Sequence, residues 1–376
     1  MPGIKFMSMG LTICLLMGSI IGCSAEKENN QTIEPSLDEG VNVVEEPIAV
    51  EEPKVIVEPK KEQIKNIVIP DIVLSDTNNL TNPKATKEAR IIHNYLGSIY
   101  GNYILSGQQE STWKGTPEYE MNYVEENTGR LPVIRGLDYI NQDFDGVTQR
   151  SIEWWERGGI VSICWHWGTP PSGVGYESSK GKIDLNEALT EGTDLNKGMI
   201  EQMDRVAEEL KKLQAAGVPV LWKPFHEFDG TWFWWGKGGP DNFIKLWQLM
   251  YDRYTNHHGL NNLVWVLGYS HEVRDNWYPG DDYVDIAGAD NYSEGTQVNK
   301  YNKVASIVGT EMPIAYHENG PIPNPDDMIK DGAKWVFFMT WHTTHIMQEN
   351  TPEYINAVYN HDYVITLDEL PDFKTK

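Results

Sequence analysis

The sequence is poor in cysteine, in basic residues and, over its first quarter, in aromatics. Three cysteines occur in 376 residues: Cys14, Cys23 and Cys164. The first two lie in or beside an N-terminal apolar segment. Only Cys164 is left for a folded domain, which excludes an intradomain disulfide and a zinc site built on cysteines. Lysine and arginine number 31 against 55 acids, a formal net charge of -24. A chain this acidic repels polyphosphate, so nucleic acid is excluded as a partner. The same balance suits a neutral substrate and an extracytoplasmic setting. No Gly-rich phosphate loop follows an early strand, which argues against a doubly wound nucleotide-binding sheet. The helical zinc pattern H-E-x-x-H is missing as well, because Gly230 stands where the second histidine after His226 is needed.

Histidine clusters do occur, at His257-His258 and at His342 with His345. The first pair falls at an expected helix end, where imidazoles suit the dipole. No catalytic metal and no cofactor is expected, although the many carboxylates leave structural calcium open.

What is present begins with an address. Lys5 is followed by an apolar run from Phe6 to Ile21 and then Gly22-Cys23. A positive charge, a short apolar stretch and a small residue before a cut make a secretory signal. The tetrapeptide Ile20-Ile21-Gly22-Cys23 resembles the lipobox of bacterial lipoproteins, which implies a signal peptide over 1–22 and lipidation of Cys23. The run is short for a bilayer span of ~20 apolar residues, and an uncleaved anchor is the alternative. Either way the protein is expected at the cell surface or otherwise outside the cytoplasm, held to a membrane. Residues 23–75 are rich in Glu, Pro, Val and Lys, and no aromatic occurs between Phe6 and Tyr95. Such a stretch buries too little surface to fold and reads as an extended tether.

From residue 76 to 376 short β-rich runs alternate with amphipathic helical stretches. Strands are expected at Tyr103–Gly107, Pro132–Leu137, Ile160–Trp165, Val218–Phe225, Asn262–Gly268, Asp285–Ala289, Met312–His317 and Trp335–Thr340. Helices are expected between them, for example at Thr86–Ile99, Thr148–Arg157, Leu195–Ala215, Asp241–His257 and Gln297–Ile307, with Asp241 as an N-cap and Gly217 and Gly259 as stops. Eight strands interleaved with helices predict a (β/α)8 TIM barrel, whose chemistry sits at the C-terminal ends of the strands. Each apolar run ends in reactive residues: Gln108, Asp138, His166, His226-Glu227, His271, Asn291-Tyr292, Glu318 and Trp341-His342.

All 14 tryptophans lie between Trp113 and Trp341, and four aromatics, Trp232 to Trp235, follow directly on His226-Glu227. A carboxyl group beside indoles at a strand end is what sugar cleavage needs: the acid protonates a leaving oxygen and pyranose faces stack on rings. Indole surroundings also disfavour the charged form of a general acid. The second acid is sought among Asp138, Glu272, Asp290 and Glu318. Glu318 follows an apolar run and precedes the turn Asn319-Gly320-Pro321. Counting strands puts Glu227 after the fourth and Glu318 after the seventh, across the barrel mouth, where the ~5–5.5 Å spacing of a retaining mechanism is attainable. Arg135 and Asp138 are either substrate contacts or an ion pair. The long Gly-rich loop Thr169–Leu195 has room for sugar contacts.

The stretch Pro224-Phe-His-Glu-Phe-Asp-Gly-Thr-Trp-Phe-Trp-Trp-Gly236 resembles the acid/base signature of glycoside hydrolase family 26, mostly endo-β-1,4-mannanases. Cys164-Trp-His-Trp-Gly168, Tyr278 to Tyr292 and Trp335 to Trp341 resemble the family's third, sixth and eighth strand blocks, so the likeness covers most of Ile104 to Leu370. It implies Glu227 as acid/base, Glu318 as nucleophile and Tyr292 as hydrogen-bond partner of the nucleophile. It further implies His166 and His226 as sugar contacts and Trp232 and Trp341 as stacking platforms. One departure is Asn319, where many members carry an aromatic after the nucleophile. The expected substrate is β-1,4-mannan, glucomannan or galactomannan, cleaved with retention by a monomer. Mixed-linkage β-glucan and β-1,3-xylan are alternative substrates, and a non-catalytic glycan-binding lipoprotein is the alternative from another class.

Overall fold

The computed structural model describes residues 74–374. The expected signal segment 1–22, Cys23 and nearly all of the expected tether lie outside the described residues. Eight parallel strands close into a barrel: β1 (Gly107–Gln109), β2 (Ile134–Asp138), β3 (Ile160–Cys164), β4 (Val220–Lys223), β5 (Leu263–Tyr269), β6 (Ile286–Asn291), β7 (Ile314–Asn319) and β8 (Phe338–Thr340). Neighbours in sequence are neighbours in the sheet, and Gln108 opposite Thr340 closes the ring. Seven of the eight strands fall on expected runs and the first meets its run only at Gly107, so the (β/α)8 barrel stands.

The first run divides in two. Ile104–Leu105 leaves the barrel and pairs with Val364–Ile365 near the C-terminus, and only Gly107–Gln109 joins the ring. The reason is local. All four of those apolar residues are fully buried in the clasp, whereas Gly107 has the Phe338 carbonyl so close that an added Cβ would sit 2.4 Å from it. Only a glycine lets β1 approach β8 there.

The helices follow their caps. Thr86 accepts from the Ala89 N–H and starts Lys87–Ile99, whose Ile92, Tyr95, Leu96 and Ile99 form the buried stripe. Thr193 caps the 22-residue helix Asp194–Ala215, which ends before Gly217 in the left-handed region. Asp241 is not an N-cap. Gly239 holds that position, Pro240 opens the first turn of Pro240–Asp252, and Asp241 adds a favourable charge to that turn. One turn of π-helix, Arg253–His257, carries the segment on towards Gly259, also left-handed. Aromatic rings fill the layer between barrel and helices, with Trp222, Trp247, Trp265 and Tyr254 buried there in mutual contact. Among the described residues no helix is long and apolar enough to cross a membrane.

Candidate active site

At the exit of β4 the backbone turns sharply. Glu227 has φ +57, a left-handed conformation that a side chain with a Cβ seldom adopts. The turn is held from both sides. The Glu227 N–H donates to the Gly268 carbonyl at 2.8 Å, and the buried Asp229 carboxylate accepts the N–H groups of Ser270 and His271 at 2.7 and 3.1 Å. This fastens the β4 exit to the β5 exit. The Trp232 indole N–H donates to Glu227 Oε2 at 2.8 Å, and the Ser270 hydroxyl lies 3.4 Å from Oε1. Trp232 remains 36% exposed. Trp234 and Trp235 are buried, their indole N–H groups spent on the carbonyls of Trp167 and His226. Of the indoles after Glu227, one therefore borders the open site and two belong to the core.

Glu318 arrives by a different device. Ala289 pairs with Tyr316 and Asp290 with Glu318, so His317 is an extra residue in β7. Strand alternation would send His317 and Glu318 to opposite faces; the bulge brings both to the interior. Both touch the same ammonium. Lys223 Nζ lies 2.5 Å from Glu318 Oε1, 3.1 Å from the His317 carbonyl and 3.4 Å from His317 Nδ1. His317 Nε2 faces the Tyr269 carbonyl at 3.0 Å, so it donates there and leaves Nδ1 to accept from Lys223. Burial, then the nearby Lys223 charge, push the His317 imidazole down to about 3, which keeps that tautomer neutral. The Tyr292 hydroxyl donates to Glu318 Oε2 at 3.0 Å. Burial and then the Glu318 charge hold this phenol well above its ordinary range, so it stays a donor.

A relay of rings joins the two exits. His166 Nδ1 meets Asp138 Oδ2 at 2.5 Å, and His166 Nε2 meets His226 Nε2 at 3.1 Å. His226 Nε2 is 4.0 Å from Glu318 Oε1. Burial works against a charge on His166, but Asp138, aided by Glu318 and Glu227, outweighs it and raises the imidazole above its usual value. His226 goes the other way: burial first, then His166, Lys223 and His317, hold it well below the usual range and neutral. Beside His166 opens a recess of about 360 Å³ lined by Trp113, Tyr176, Trp341 and His342, with Asp138 and Glu110 at its polar side. Trp113 is 53% exposed and stands edge-on to His342 at 4.6 Å.

Among the described residues two clusters have the composition of metal ligands: Asp138, Cys164 and His166, and Glu227, Asp290 and Glu318. Both contain a group that disfavours a cation. Lys223 occupies Glu318 and would repel a cation, and burial, followed by Asp138, keeps the Cys164 thiol protonated. In the second cluster one carboxylate oxygen of each residue lies within 4.8 Å of the others. Burial, and then Glu227 beside it, hold the Asp290 carboxyl well above the usual carboxylate range.

Two acids this close, on facing strand ends and bordered by exposed rings, have the layout of double-displacement glycosidases. The sequence as a whole carries the same signature. Residues 81–369 match the family described as Glycosyl hydrolase family 26. The chain belongs to that family. A mannan endo-1,4-beta-mannosidase of Thermothelomyces thermophilus is 38% identical over 314 residues, which cover 78% of this chain and 63% of that one. The crystal structure of the Podospora anserina GH26-CBM35 beta-(1,4)-mannanase superimposes with TM-score 0.72 at 35% identity, over 80% of this chain and 70% of that one. The beta-mannanase from a symbiotic protist of the termite Reticulitermes speratus, complexed with gluco-manno-oligosaccharide, gives TM-score 0.73 at 30% identity over 80% and 98%. The chain spans between 51% and 66% of the length of the first curated relatives it matches.

Within this family fold, Glu227, Glu318, His166, His226, Trp232, Tyr292 and Trp341 all gather at the C-terminal face of the barrel. Arg135 and Asp138 do not pair with each other. Arg135 binds Glu110 and Glu118, and Asp138 belongs to His166. Asn319 does not face the open site. It is buried and its amide bridges the Thr340 hydroxyl and the carbonyls of Gly320 and Pro321, fastening β7 to β8. Sequence reasoning passed over Lys223, whose one signal was a charge inside an otherwise apolar strand. It also left Trp113 and Tyr176 unassigned, since isolated loop aromatics show no periodicity.

Proposed function

We propose that this chain is a retaining glycoside hydrolase that cleaves β-1,4-mannosidic linkages in mannan, glucomannan and galactomannan. The observation that carries the reading is the approach of Glu227 and Glu318, from the β4 and β7 exits, to within 4.8 Å oxygen to oxygen. Glu227 donates a proton to the departing glycosidic oxygen while Glu318 attacks the anomeric carbon and forms a glycosyl ester. Glu227 then takes a proton from water, which displaces Glu318. Tyr292 steadies the nucleophile, the neutral His226 and the Asp138-held His166 contact the sugar at the cleaved bond, and Trp232 and Trp341 stack on the rings to either side. Mannan as the substrate is supported by relatives that bear the name mannan endo-1,4-beta-mannosidase and by the family membership.

The assay is reducing-sugar release from mannan, glucomannan, mixed-linkage glucan and xylan by the wild type and by Glu227→Gln. Wild-type release from the mannans, with a loss of about 1000-fold in Glu227→Gln, is expected. Equal rates from the two proteins, or preferred release from xylan, defeat the proposal. We also propose that Cys23 is lipidated and that residues 23–75 tether the barrel of residues 76–376 at the cell surface, on the strength of Lys5, the apolar run and the lipobox-like tetrapeptide. Mass spectrometry should find a diacylated Cys23 at the mature N-terminus; an unmodified Met1 on the exported protein would contradict it.

A further inference from the structure

Lys223 is an unusual resident of a barrel interior. It ends β4, is almost wholly buried, and has its three N–H donors spent on β7: Glu318 Oε1, the His317 carbonyl and His317 Nδ1. A buried amine left to itself loses its proton. Here burial pulls that way, and Glu318, followed by Cys164 and Asp290, outweighs it and keeps the ammonium. The other groups that face it cannot replace Glu318 as its counterion. Cys164 on β3 is held as the thiol, His226 beyond β4 and His317 on β7 are held neutral, and the Asp290 carboxyl on β6 is held towards its protonated form. The Trp341 ring closes the remaining side, 5.7 Å from Nζ. One full positive charge and one carboxylate are thus sealed together 2.5 Å apart.

We propose that Lys223 is the positioning residue of Glu318: its ammonium holds that carboxylate aimed at rest, and drives its release from the glycosyl ester. This rests on the retaining-glycosidase reading. In the first step a Glu318 oxygen bonds to the anomeric carbon as the glycosidic bond breaks, its electron pair leaving with the oxygen that takes the proton of Glu227. Glu318 becomes a neutral ester, and Lys223 loses its counterion, so burial then presses on an uncompensated ammonium. In the second step a water oxygen bonds to the same carbon, its proton passes to Glu227, and the ester C–O bond breaks with its pair returning to Glu318. That restores the buried ion pair, so the fixed charge makes Glu318 a better leaving group.

The experiment compares Lys223→Met, which keeps length and apolar bulk, with Lys223→Arg, which keeps charge. With the ammonium gone the carboxylate loses the group that aims it, so kcat/KM should fall about 100-fold in Lys223→Met and less than about 10-fold in Lys223→Arg. On a dinitrophenyl β-mannoside, whose leaving group needs no acid, Lys223→Met should show a burst, then a steady rate about 100-fold below wild type, with the glycosyl-enzyme visible by intact mass. No accumulated intermediate in folded Lys223→Met, or an equal loss in Lys223→Arg, overturns the proposal. Should Lys223→Met fail to fold, Glu318→Gln serves. It strands a buried ammonium, so it should be less stable than the double variant Glu318→Gln with Lys223→Met; equal or greater loss in the double variant overturns the pairing. Absence of wild-type turnover on every β-glycan instead removes the glycosidase reading, whereas normal wild-type turnover with no accumulated intermediate in Lys223→Met removes the Lys223 proposal alone.

Discussion

The backbone of Glu227 carries a cost that its neighbours absorb. A left-handed conformation at a residue with a Cβ costs ~1–2 kcal/mol, and the hydrogen bond to Gly268 and the Asp229 clamp hold it in place. Glu227→Gly should therefore be more stable than Glu227→Ala by about 1 kcal/mol, the reverse of the order in regular structure. Urea unfolding of the two variants measures it, and an Ala variant as stable as the Gly variant would mean that the turn relaxes. His166 supplies a pH-dependent counterpart. Its folded value is raised chiefly against burial by Asp138, so this contribution to stability is fully present below the unfolded value of ~6.5 and fades as pH climbs through the folded one. Asp138→Asn should then cost about 1–3 kcal/mol near pH 6 and less near pH 9. A loss that grows with pH in thermal unfolding would reverse this account of the pair. The places of Glu227 and Glu318 at facing strand ends were legible because acids that close apolar runs stand out. The partners of Arg135 and Asp138 were not, because register and rotamer decide which of several nearby charges meet.

At the scale of the element, the bulge in β7 does what strand periodicity cannot. It turns His317 and Glu318 to one side, and Gly268 on β5, two strands away, leaves the space: a Cβ there would lie 2.6 Å from the His317 ring. Gly268→Ala should displace that ring, loosen the contact of Lys223 with Glu318, cost about 1–3 kcal/mol and lower kcat more than it raises KM. Steady-state kinetics beside unfolding curves test this; a variant with wild-type kcat would show that His317 is free to move. Short apolar runs gave the strand positions well, because parallel strands covered on both faces are continuously apolar. It could not reveal the bulge, nor that Ile104–Leu105 pairs with Val364–Ile365, a contact between residues far apart in the chain.

At the scale of the whole molecule, eight strand ends converge on one face, which is how residues from Asp138 to Trp341 come to share a site. The order of strands was readable from the alternation of strand and helix, and with it the opposition of β4 and β7. What the sequence withheld was the buried electrostatic ground beneath the site, the contacts among Lys223, His317, Asp290 and the Asp138–His166–His226 relay, assembled from five strands and their exits by closure of the barrel. The central claim is double displacement through Glu318. Proton NMR of the first-formed product, recorded on mannan oligosaccharide before mutarotation, tests it most directly. The account predicts that the β anomer appears first and the α anomer grows in later. Initial appearance of the α anomer would contradict it and remove Glu318 from the role of nucleophile.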